Sequence, residues 1–320
     1  MSSPLDAPTA PAGPSPYAIL KSLVLVPGAM RGEAIEALVP GVIRQPVRQD
    51  GRVIGHNRLV GDPAPRVVIG AHFDIDPGTR EGAIDNTAGV AVLVALAERL
   101  QAEGLWPAGL QIAFWDLEEP GNGAFAAGSA THARALRRAM VSPDLVVVCD
   151  VLGLGDPVLS TRSDRTAAAL VHRVLEAGTI PVRARSTPGS DDVGFAMAGI
   201  GAALLTTLPA SGDTSAWRAM HSLDDTIALV DPASLAMCVR GLDAVIDEYL
   251  VRGVRAADVA AELRHSRRPA PRVLPEPVQM GLFETAPAPS PRALLHDPRQ
   301  LEMFAAPSPA PDVGRSRAIG

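Results

Sequence analysis

The chain has 320 residues, of which 47% are apolar and 20% charged, and its formal net charge is −6. No apolar run approaches the roughly 18 residues needed to cross a bilayer, and the negative charge offers no large cationic surface for a nucleic-acid backbone. These features argue against a membrane-spanning protein and against direct nucleic-acid binding. The two cysteines lie in apolar stretches typical of buried thiols, and the N-terminus lacks a secretory pattern, so a cytoplasmic protein is expected.

Proline marks both ends of the chain. Five prolines fall in the first 16 residues and eleven in the last 52. Proline-rich segments with few core-forming residues are typical of disorder. We therefore expect disordered segments at 1–16 and 269–320, and one folded domain over 17–268 that can bury a large core without disulfides.

Short β-branched runs alternate with longer amphipathic stretches, which is typical of an α/β protein. The predicted strands are, in chain order, Ser22–Val26, Arg66–Ala71, Leu110–Trp115, Leu145–Cys149 and Gly201–Thr206, with edge strands near Val42 and Val182. The predicted helices are Asn86–Ala102, Ser129–Met140, Arg165–Ala177, Asp191–Ala198 and Asp231–Val251. This order predicts a three-layer sandwich in which a mostly parallel, mixed central sheet is flanked by helices.

Polar side chains follow three of the predicted strands. His72 and Asp74 come at the end of the second, Glu118 and Glu119 after the third, and Asp150 directly after the fourth. Parallel strands place their carboxyl ends at one edge of a sheet, where α/β proteins carry their sites. We therefore expect these side chains to converge.

Two further residues extend this cluster. Asp85 precedes a predicted helix, and His221 lies in the loop before the last one. Taken alone, each acid has a structural interpretation as a helix cap, a turn residue or a solvated loop. Five carboxylates and two imidazoles at one edge would repel strongly without compensating charge. No Lys or Arg near Asp85, Glu119 or Asp150 along the chain is placed to suggest an ion pair instead of metal, which leaves only arginines distant in sequence as an alternative. Two divalent cations are the simpler explanation.

Five stretches in order resemble the dizinc aminopeptidase family, which also includes glutaminyl cyclases. They read VVIGAHFDIDPGTREGAIDNTAGVAVLVALAERL, FWDLEEPGNGAFAAGS, VVVCDVLGLGD, GSDDVGFAMAGIGAAL and MHSLDDT. The resemblance spans about residues 22–250, and five motifs in order are far more specific than any one of them. It implies the aminopeptidase fold and a hydrolase that acts on peptides.

The resemblance also implies roles for individual residues. His72 and Asp150 would bind one metal, Glu119 and His221 the other, and Asp85 would bridge two divalent ions, taken to be zinc. Asp74 would accept the second ring N–H of His72 and fix its tautomer. Glu118 would be the general base that moves a proton from the attacking water to the leaving amine. Asp225, four residues after His221, would orient that histidine.

Two related activities fit less well. The desuccinylase and acylase enzymes share this ligand pattern, but in them a domain of roughly a hundred residues is inserted between the last acid and the last histidine. Here Asp150 and His221 are 71 positions apart. Single-metal glutaminyl cyclisation is disfavoured because both His72 and Asp150 are present to complete a second metal set.

Three departures from the family pattern concern substrate contacts. The chain reads Ser190, Asp191, Asp192 where the family often has SDH, and GIGA at 199–202 where it often has GIPA. Met220 stands where a tyrosine often precedes the last histidine. Losing that hydroxyl would remove one candidate oxyanion donor.

Two functional hypotheses follow. The first is a metal-dependent exopeptidase, in particular an aminopeptidase. The second is a peptidase-like binding protein with weak or no catalysis. Loss of Glu118 or of a metal ligand would mark the second class, and all of these residues are present.

The C-terminal tail carries two similar pentapeptides, QMGLF at 279–283 and QLEMF at 300–304. Each resembles the QLxLF peptide with which bacterial polymerases and mismatch-repair proteins dock on the DNA sliding clamp. The residues that would contact the clamp are Gln279, Leu282, Phe283, Gln300, Leu301, Met303 and Phe304. A tail without function, in which these apolar residues are scattered by chance, is the alternative.

Overall fold

The computed structural model describes residues 15–122 and 124–265. The strands are β1 (Ile43–Gln49), β2 (Arg52–Gly61), β3 (Val67–His72), β4 (Leu110–Trp115), β5 (Leu145–Cys149), β6 (Asp156–Ser160), β7 (Arg183–Arg185) and β8 (Ala203–Leu208). The helices are α1 (Pro16–Leu23), α2 (Arg31–Leu38), α3 (Ala88–Ala102), α4 (Ala127–Arg138), α5 (Arg165–Ala177), α6 (Asp191–Met197), α7 (Pro232–Ile246) and α8 (Ala256–His265). Within the described residues no helix is long and apolar enough to cross a membrane.

The eight strands form one mixed sheet in the order β1-β2-β4-β3-β5-β8-β6-β7. The central strands β4, β3, β5 and β8 are parallel neighbours, β2 joins β4 antiparallel, and β6 joins β8 antiparallel. Every residue of β3, β4 and β5 is buried, as expected for parallel strands covered on both faces. The predicted fold class is therefore confirmed.

Alternate residues of the central strands enter two separate cores. Val67, Ile69 and Ala71 face the larger core with helices α1, α3, α5 and α7, whereas Val68 faces a smaller core with α4 and α6. Successive side chains of a strand point to opposite faces, so one uninterrupted apolar run supplies both cores. Helices cover each face of the sheet, which completes the three layers.

The first predicted strand, Ser22–Val26, is wrong. This segment is the end of α1 and the turn after it. Ser15 caps the helix by accepting a hydrogen bond from the amide of Ala18, and Pro16 occupies the first turn. Ile19, Leu20 and Leu23 are its buried side chains, a helical spacing that local β propensity concealed.

Strands β2 and β6 and helices α2 and α8 are additions that the sequence patterns did not predict. β2 reads RVIGHNRLVG, in which glycine and polar residues interrupt the alternation. β6 contains Pro157, which disfavours a strand, although β6 lies between β8 and β7. The QMGLF and QLEMF peptides, and the expected tail 269–320 as a whole, lie outside the described residues.

Candidate metal centre

Three neighbouring parallel strands end at one site. His72 is the last residue of β3, Glu118 and Glu119 lie three and four residues beyond β4, and Asp150 directly follows β5. The sheet order β4-β3-β5 places these strand ends side by side. The convergence expected from the sequence is thus present, and it follows directly from the parallel pairing.

The remaining two side chains arrive from loops. Asp85 belongs to the irregular turn Ala83–Thr87 that leads into α3, and a cis peptide bond joins it to Asn86. His221 follows the short 3-10 helix Ser215–Ala219. The side chain of His72 is fully buried, whereas 43% of the His221 side chain is exposed.

The two oxygens of the Asp85 carboxylate face different histidines. Oδ1 lies 3.2 Å from Nε2 of His72, and Oδ2 lies 3.2 Å from Nε2 of His221. Each imidazole nitrogen has a second acid beside it: Asp150 at 3.4 Å from His72, and Glu119 at 3.1 Å from His221. The five residues therefore form two donor sets that share one carboxylate.

Several of these ligand atoms have no hydrogen-bond partner although they are buried. They are Nε2 of His72, both carboxylate oxygens of Glu119, and Oδ1 of Asp150. Buried polar atoms are normally paired, so nitrogen and oxygen atoms that face one another without hydrogen-bond partners indicate a cation-binding site. Imidazole and carboxylate donors in this combination suit divalent metals such as zinc. The residues present therefore fit a metal.

A further acid extends one donor set. Asp76 can offer an oxygen alongside Glu119 and His221, with the three ligand atoms within 4.8 Å of one another. Asp76 was not among the predicted site residues, although it lies two positions after Asp74 in the first of the five stretches.

The protonation of the cluster follows from burial and neighbouring charge. Burial opposes the ionised form of Asp85, but the adjacent imidazoles of His221 and His72 outweigh it and hold the pKa of Asp85 well below its usual range. The same contacts from Asp85 and Glu119 raise the pKa of His221 to about 11. Burial raises the pKa of Glu119 to about 7 and raises the pKa of Glu118 well above its ordinary value.

Asp74 supports the loop that carries the two glutamates. Its Oδ1 accepts a hydrogen bond from the amide of Glu118 at 3.0 Å, and its Oδ2 accepts from the amide of Glu119 at 3.1 Å and from Asn122 at 2.9 Å. The Asp74 carboxylate lies 3.6 Å from Nδ1 of His72, beyond a direct hydrogen bond, and the backbone carbonyl of Asp74 is nearer at 3.1 Å. The second ring nitrogen of His72 thus meets the main chain of Asp74 more closely than its side chain.

Asp225 supports the loop that carries Asp85. Its Oδ1 accepts from the amide of Ile84 at 2.8 Å and its Oδ2 from the amide of Asp85 at 3.2 Å. Burial raises the pKa of Asp225 to about 7. The role expected for Asp225 was to orient His221, and the contacts found for its carboxylate point to Asp85 instead.

Three residues without the freedom of glycine adopt positive φ angles around the cluster. They are Leu117 (63°), Val151 (53°) and His221 itself (58°). Such conformations are costly, above all for a β-branched residue, and they persist where surrounding structure fixes them, often at functional sites.

A cavity of about 180 Å³ opens beside the cluster. Its polar wall consists of Asp85, Glu118, Glu119, Asp150 and His221, and its apolar wall includes Phe125, Val151, Leu204, Trp217 and Met220. Met220 lies where the family often has tyrosine, so this part of the wall is apolar. The cavity can hold a small side chain next to the candidate metal centre.

Two buried charged residues near the centre were not among the predicted ligands or catalytic residues. Asp191, at the start of α6, is fully buried with both carboxylate oxygens lacking a hydrogen-bond partner, and burial raises its pKa to about 7. Arg31 is also buried, 54 positions before Asp85. Burial lowers the pKa of its guanidinium, and the nearby carboxylates of Asp225 and Asp74 partly oppose this effect.

One departure from the family pattern has a packing explanation. A Cβ atom at Gly201 would lie 2.7 Å from Cγ of Asp164, whose carboxylate caps α5 by accepting from the amide of Ala167. A larger residue at 201 would collide with this cap. The absence of a side chain at Gly201 therefore leaves room for the Asp164 carboxylate.

Comparison with solved structures shows the same fold. LapB from Legionella pneumophila matches with a TM-score of 0.63 and 17% identity, over 76% of this chain and 73% of that chain. A glutaminyl cyclase from Porphyromonas gingivalis matches with 0.62 and 20%, over 74% and 98%. A leucine aminopeptidase precursor from Bacteroides thetaiotaomicron matches with 0.57 and 19%, over 72% and 95%.

A comparison with curated protein sequences finds no match. The sequence model of peptidase family M28 matches residues 54–246, more than half of the chain. That range contains β3, β4, β5 and all the candidate ligands. The chain therefore belongs to peptidase family M28.

Proposed function

We propose that this protein is a metal-dependent aminopeptidase that hydrolyses the N-terminal peptide bond of its substrates. The observation that carries the proposal is the shared carboxylate of Asp85, which stands 3.2 Å from each of two imidazole nitrogens. In this proposal His72 and Asp150 would hold one ion, Glu119 and His221 would hold the other, and Asp85 would offer one oxygen to each. Zinc is the ion proposed for both positions.

Bound ions would polarise the scissile carbonyl and lower the pKa of the attacking water. Glu118 then acts as the general base, because its carboxylate lines the cavity beside the donor sets and burial raises its pKa above the ordinary value. The water oxygen bonds to the carbonyl carbon, the C–N bond breaks, and Glu118 transfers the proton from water to the leaving amine. Asp74 fixes Glu118 through the main chain and does not exchange protons with substrate.

The apolar wall of the cavity supports a preference for apolar N-terminal residues. Phe125, Trp217 and Met220 offer no charge to pair with a lysine or glutamate side chain. An apolar side chain gains about 25 cal/mol per Å² of surface removed from water, whereas an unpaired charge is costly to bury. We therefore expect leucyl and methionyl substrates to exceed lysyl and glutamyl ones in kcat/KM.

Glutaminyl cyclisation is the competing activity, since glutaminyl cyclases share the fold. Two donor sets around Asp85 favour hydrolysis with two ions over the single-metal reaction. A peptidase-like binding protein without catalysis is the other alternative, and it is disfavoured because Glu118 and both donor sets are all present.

Metal analysis of the purified protein, together with a panel of aminoacyl-arylamides, tests the proposal. We expect about two zinc ions per chain, release of arylamine from leucyl-arylamide, loss of activity with a chelator, and no action on the N-acetylated substrate. Glutaminyl-arylamide separates the alternatives, because hydrolysis releases arylamine while cyclisation releases ammonia and leaves the arylamide bond intact. Ammonia release alone, or no turnover of any substrate by the zinc-loaded protein, would overturn the aminopeptidase assignment.

A further inference from the structure

Arg31 lies at the start of α2, in the part of the chain that precedes the family match at residues 54–246. Only 2% of Arg31 is exposed. A buried arginine requires partners for its donors, because an unpaired buried charge is strongly unfavourable. The position of these partners reveals what this residue does.

The guanidinium of Arg31 joins the two ends of the loop that carries Asp85. Nη1 donates to Oγ1 of Thr87 at 2.6 Å, and Nη2 donates to the backbone carbonyl of Glu81. The Thr87 hydroxyl itself donates to the same Glu81 carbonyl at 3.1 Å. Arg31 therefore closes the segment Glu81–Thr87 from the side of the N-terminal helices.

The opposite side of this segment is fixed by the loop after His221. The Asp225 carboxylate accepts from the amides of Ile84 and Asp85, and the Glu81 carboxylate accepts from the amide of Ile227 at 2.8 Å. The segment that presents Asp85 is thus held between Arg31 and Asp225. Loss of either support would free the carboxylate that both donor sets share.

Arg31 also supplies positive charge. Burial lowers its pKa to about 10, against the effects of Asp225, Asp74 and Glu81, so the guanidinium stays charged at neutral pH. This fixed cation interacts with the carboxylates of Asp225, Asp74 and Glu81, which belong to the support of the loop and not to the donor sets.

We propose that Arg31 is a positioning residue for the metal centre, which holds the Asp85 loop in its metal-binding conformation through the carbonyl of Glu81 and the hydroxyl of Thr87. This inference rests on the proposed metal site but not on the reaction that the site performs. The N-terminal helices are then part of the functional unit, although they lie outside the family match.

A matched control variant distinguishes a positioning role of Arg31 from a purely structural role. Glu36 lies on the same helix, and its carboxylate pairs with Arg58 of β2 at 2.9 Å and with Arg44 of β1 at 2.6 Å, away from the segment Glu81–Thr87. Glu36→Gln should loosen α2 against β2 while it leaves the Asp85 loop supported. Arg31→Met should instead act on the loop.

The test measures zinc affinity by competition with a chelator of known affinity, for full-length protein whose circular dichroism matches wild type. We expect Arg31→Met to weaken zinc binding about tenfold or more, within the 10–100-fold range typical of residues that orient metal ligands. Arg31→Lys should recover only part of this loss, because one ammonium cannot reproduce the fork of a guanidinium. Glu36→Gln should lower the melting temperature yet keep the zinc affinity within twofold of wild type.

Wild-type affinity in Arg31→Met, or an equal loss in Glu36→Gln, would overturn the proposal. If Arg31→Met does not fold, Thr87→Val serves instead, since it removes the acceptor of Nη1 with little change in shape, and it should weaken zinc binding severalfold. The experiment measures zinc binding and not hydrolysis, so it tests the role of Arg31 even if the protein proves to be a cyclase. A wild-type protein that binds no zinc would refute the proposed metal centre itself.

Discussion

The carboxylate of Asp74 lies directly beneath the main chain of Glu118, whose amide it accepts at 3.0 Å. The same carboxylate accepts the next amide, that of Glu119, at 3.1 Å. One buried acid just beyond β3 therefore fixes both glutamates that follow β4. Strand pairing places the ends of β3 and β4 side by side, and this contact joins them directly.

Asp74→Ala should accordingly damage the site without unfolding the domain. The two amides would lose their acceptor, and the proposed base and ligand would lose their fixed positions. We expect a 10–100-fold loss in zinc affinity or in kcat/KM, measured by chelator competition and arylamide hydrolysis. Asp62→Ala is the control. The Asp62 carboxylate also accepts hydrogen bonds from two backbone amides, those of Ala64 and Gly109, but it lies where β4 begins, at the other end of the strand from the site. Equal effects of the two variants would contradict the positioning role of Asp74.

Glu118 and Asp85 should separate catalysis from metal binding. Glu118→Gln is expected to retain two metal ions but to lose several orders of magnitude in kcat, because glutamine cannot accept the proton. Asp85→Ala should lose metal as well as activity, because it removes the carboxylate shared by His72 and His221. Metal analysis alongside kinetics checks both variants, and the same metal loss in each would refute the assignment of Glu118 as base.

His132 should make the folded state sensitive to acid. It is fully buried, Trp115 donates to its Nδ1 at 3.1 Å, and burial lowers its pKa to about 4 from the ordinary 6.5. Between these pH values the unfolded chain binds the extra proton, so the free energy of unfolding falls as the pH drops from 6.5 to 4. The loss from this residue is about 3 kcal/mol. Urea unfolding at several pH values should show a shallower acid dependence for His132→Gln than for wild type; parallel pH profiles would rule this out.

The Gly201 site offers a test of packing. Gly201→Ala should lower the free energy of unfolding by about 1–3 kcal/mol, because the new Cβ would meet the Asp164 carboxylate. Adding Asp164→Ser should restore part of the loss, since serine is shorter and still caps α5. Chemical denaturation of the single and double variants gives the comparison. A double variant less stable than Gly201→Ala alone would mean that the collision is not the cause.

The tail peptides yield a separate prediction. A peptide of residues 275–306 should bind a bacterial sliding clamp through the two QxxxF segments, whose tethering would raise avidity on a ring with several equal pockets. Phe283→Ala combined with Phe304→Ala should abolish binding and leave hydrolysis unchanged. Calorimetric titration that detects no binding at high micromolar clamp, or unchanged binding by the double variant, would end this hypothesis.

The central strands could be predicted because they are buried on both faces, so their apolar runs are uninterrupted. Leu110–Trp115 and Leu145–Cys149 have the bounds expected from the sequence. Polar residues after such runs then indicate the site edge, which explains why His72, Glu118 and Asp150 were all found. α1 was missed because its pattern is short and its stabilising contacts come from a distant helix.

Residues that support the site from distant parts of the chain could not be predicted from local sequence patterns. Arg31 and Asp85 are brought together by tertiary packing, and neither lies in a motif that includes the other. Asp225 could be found from its position after His221, but its partners depend on how the loop 81–87 folds over it. Sequence spacing identifies residues that share a strand end, whereas it does not identify contacts between separate loops.

The unequal exposure of the two histidines has a kinetic consequence for the proposed metals. His72 is sealed within the fold, whereas 43% of the His221 side chain meets solvent. An ion held by Glu119 and His221 would exchange with the surroundings faster than one held by His72 and Asp150. Brief dialysis against a chelator should therefore yield a half-loaded protein, which keeps the ion at His72 and Asp150 and can then be reloaded at Glu119 and His221.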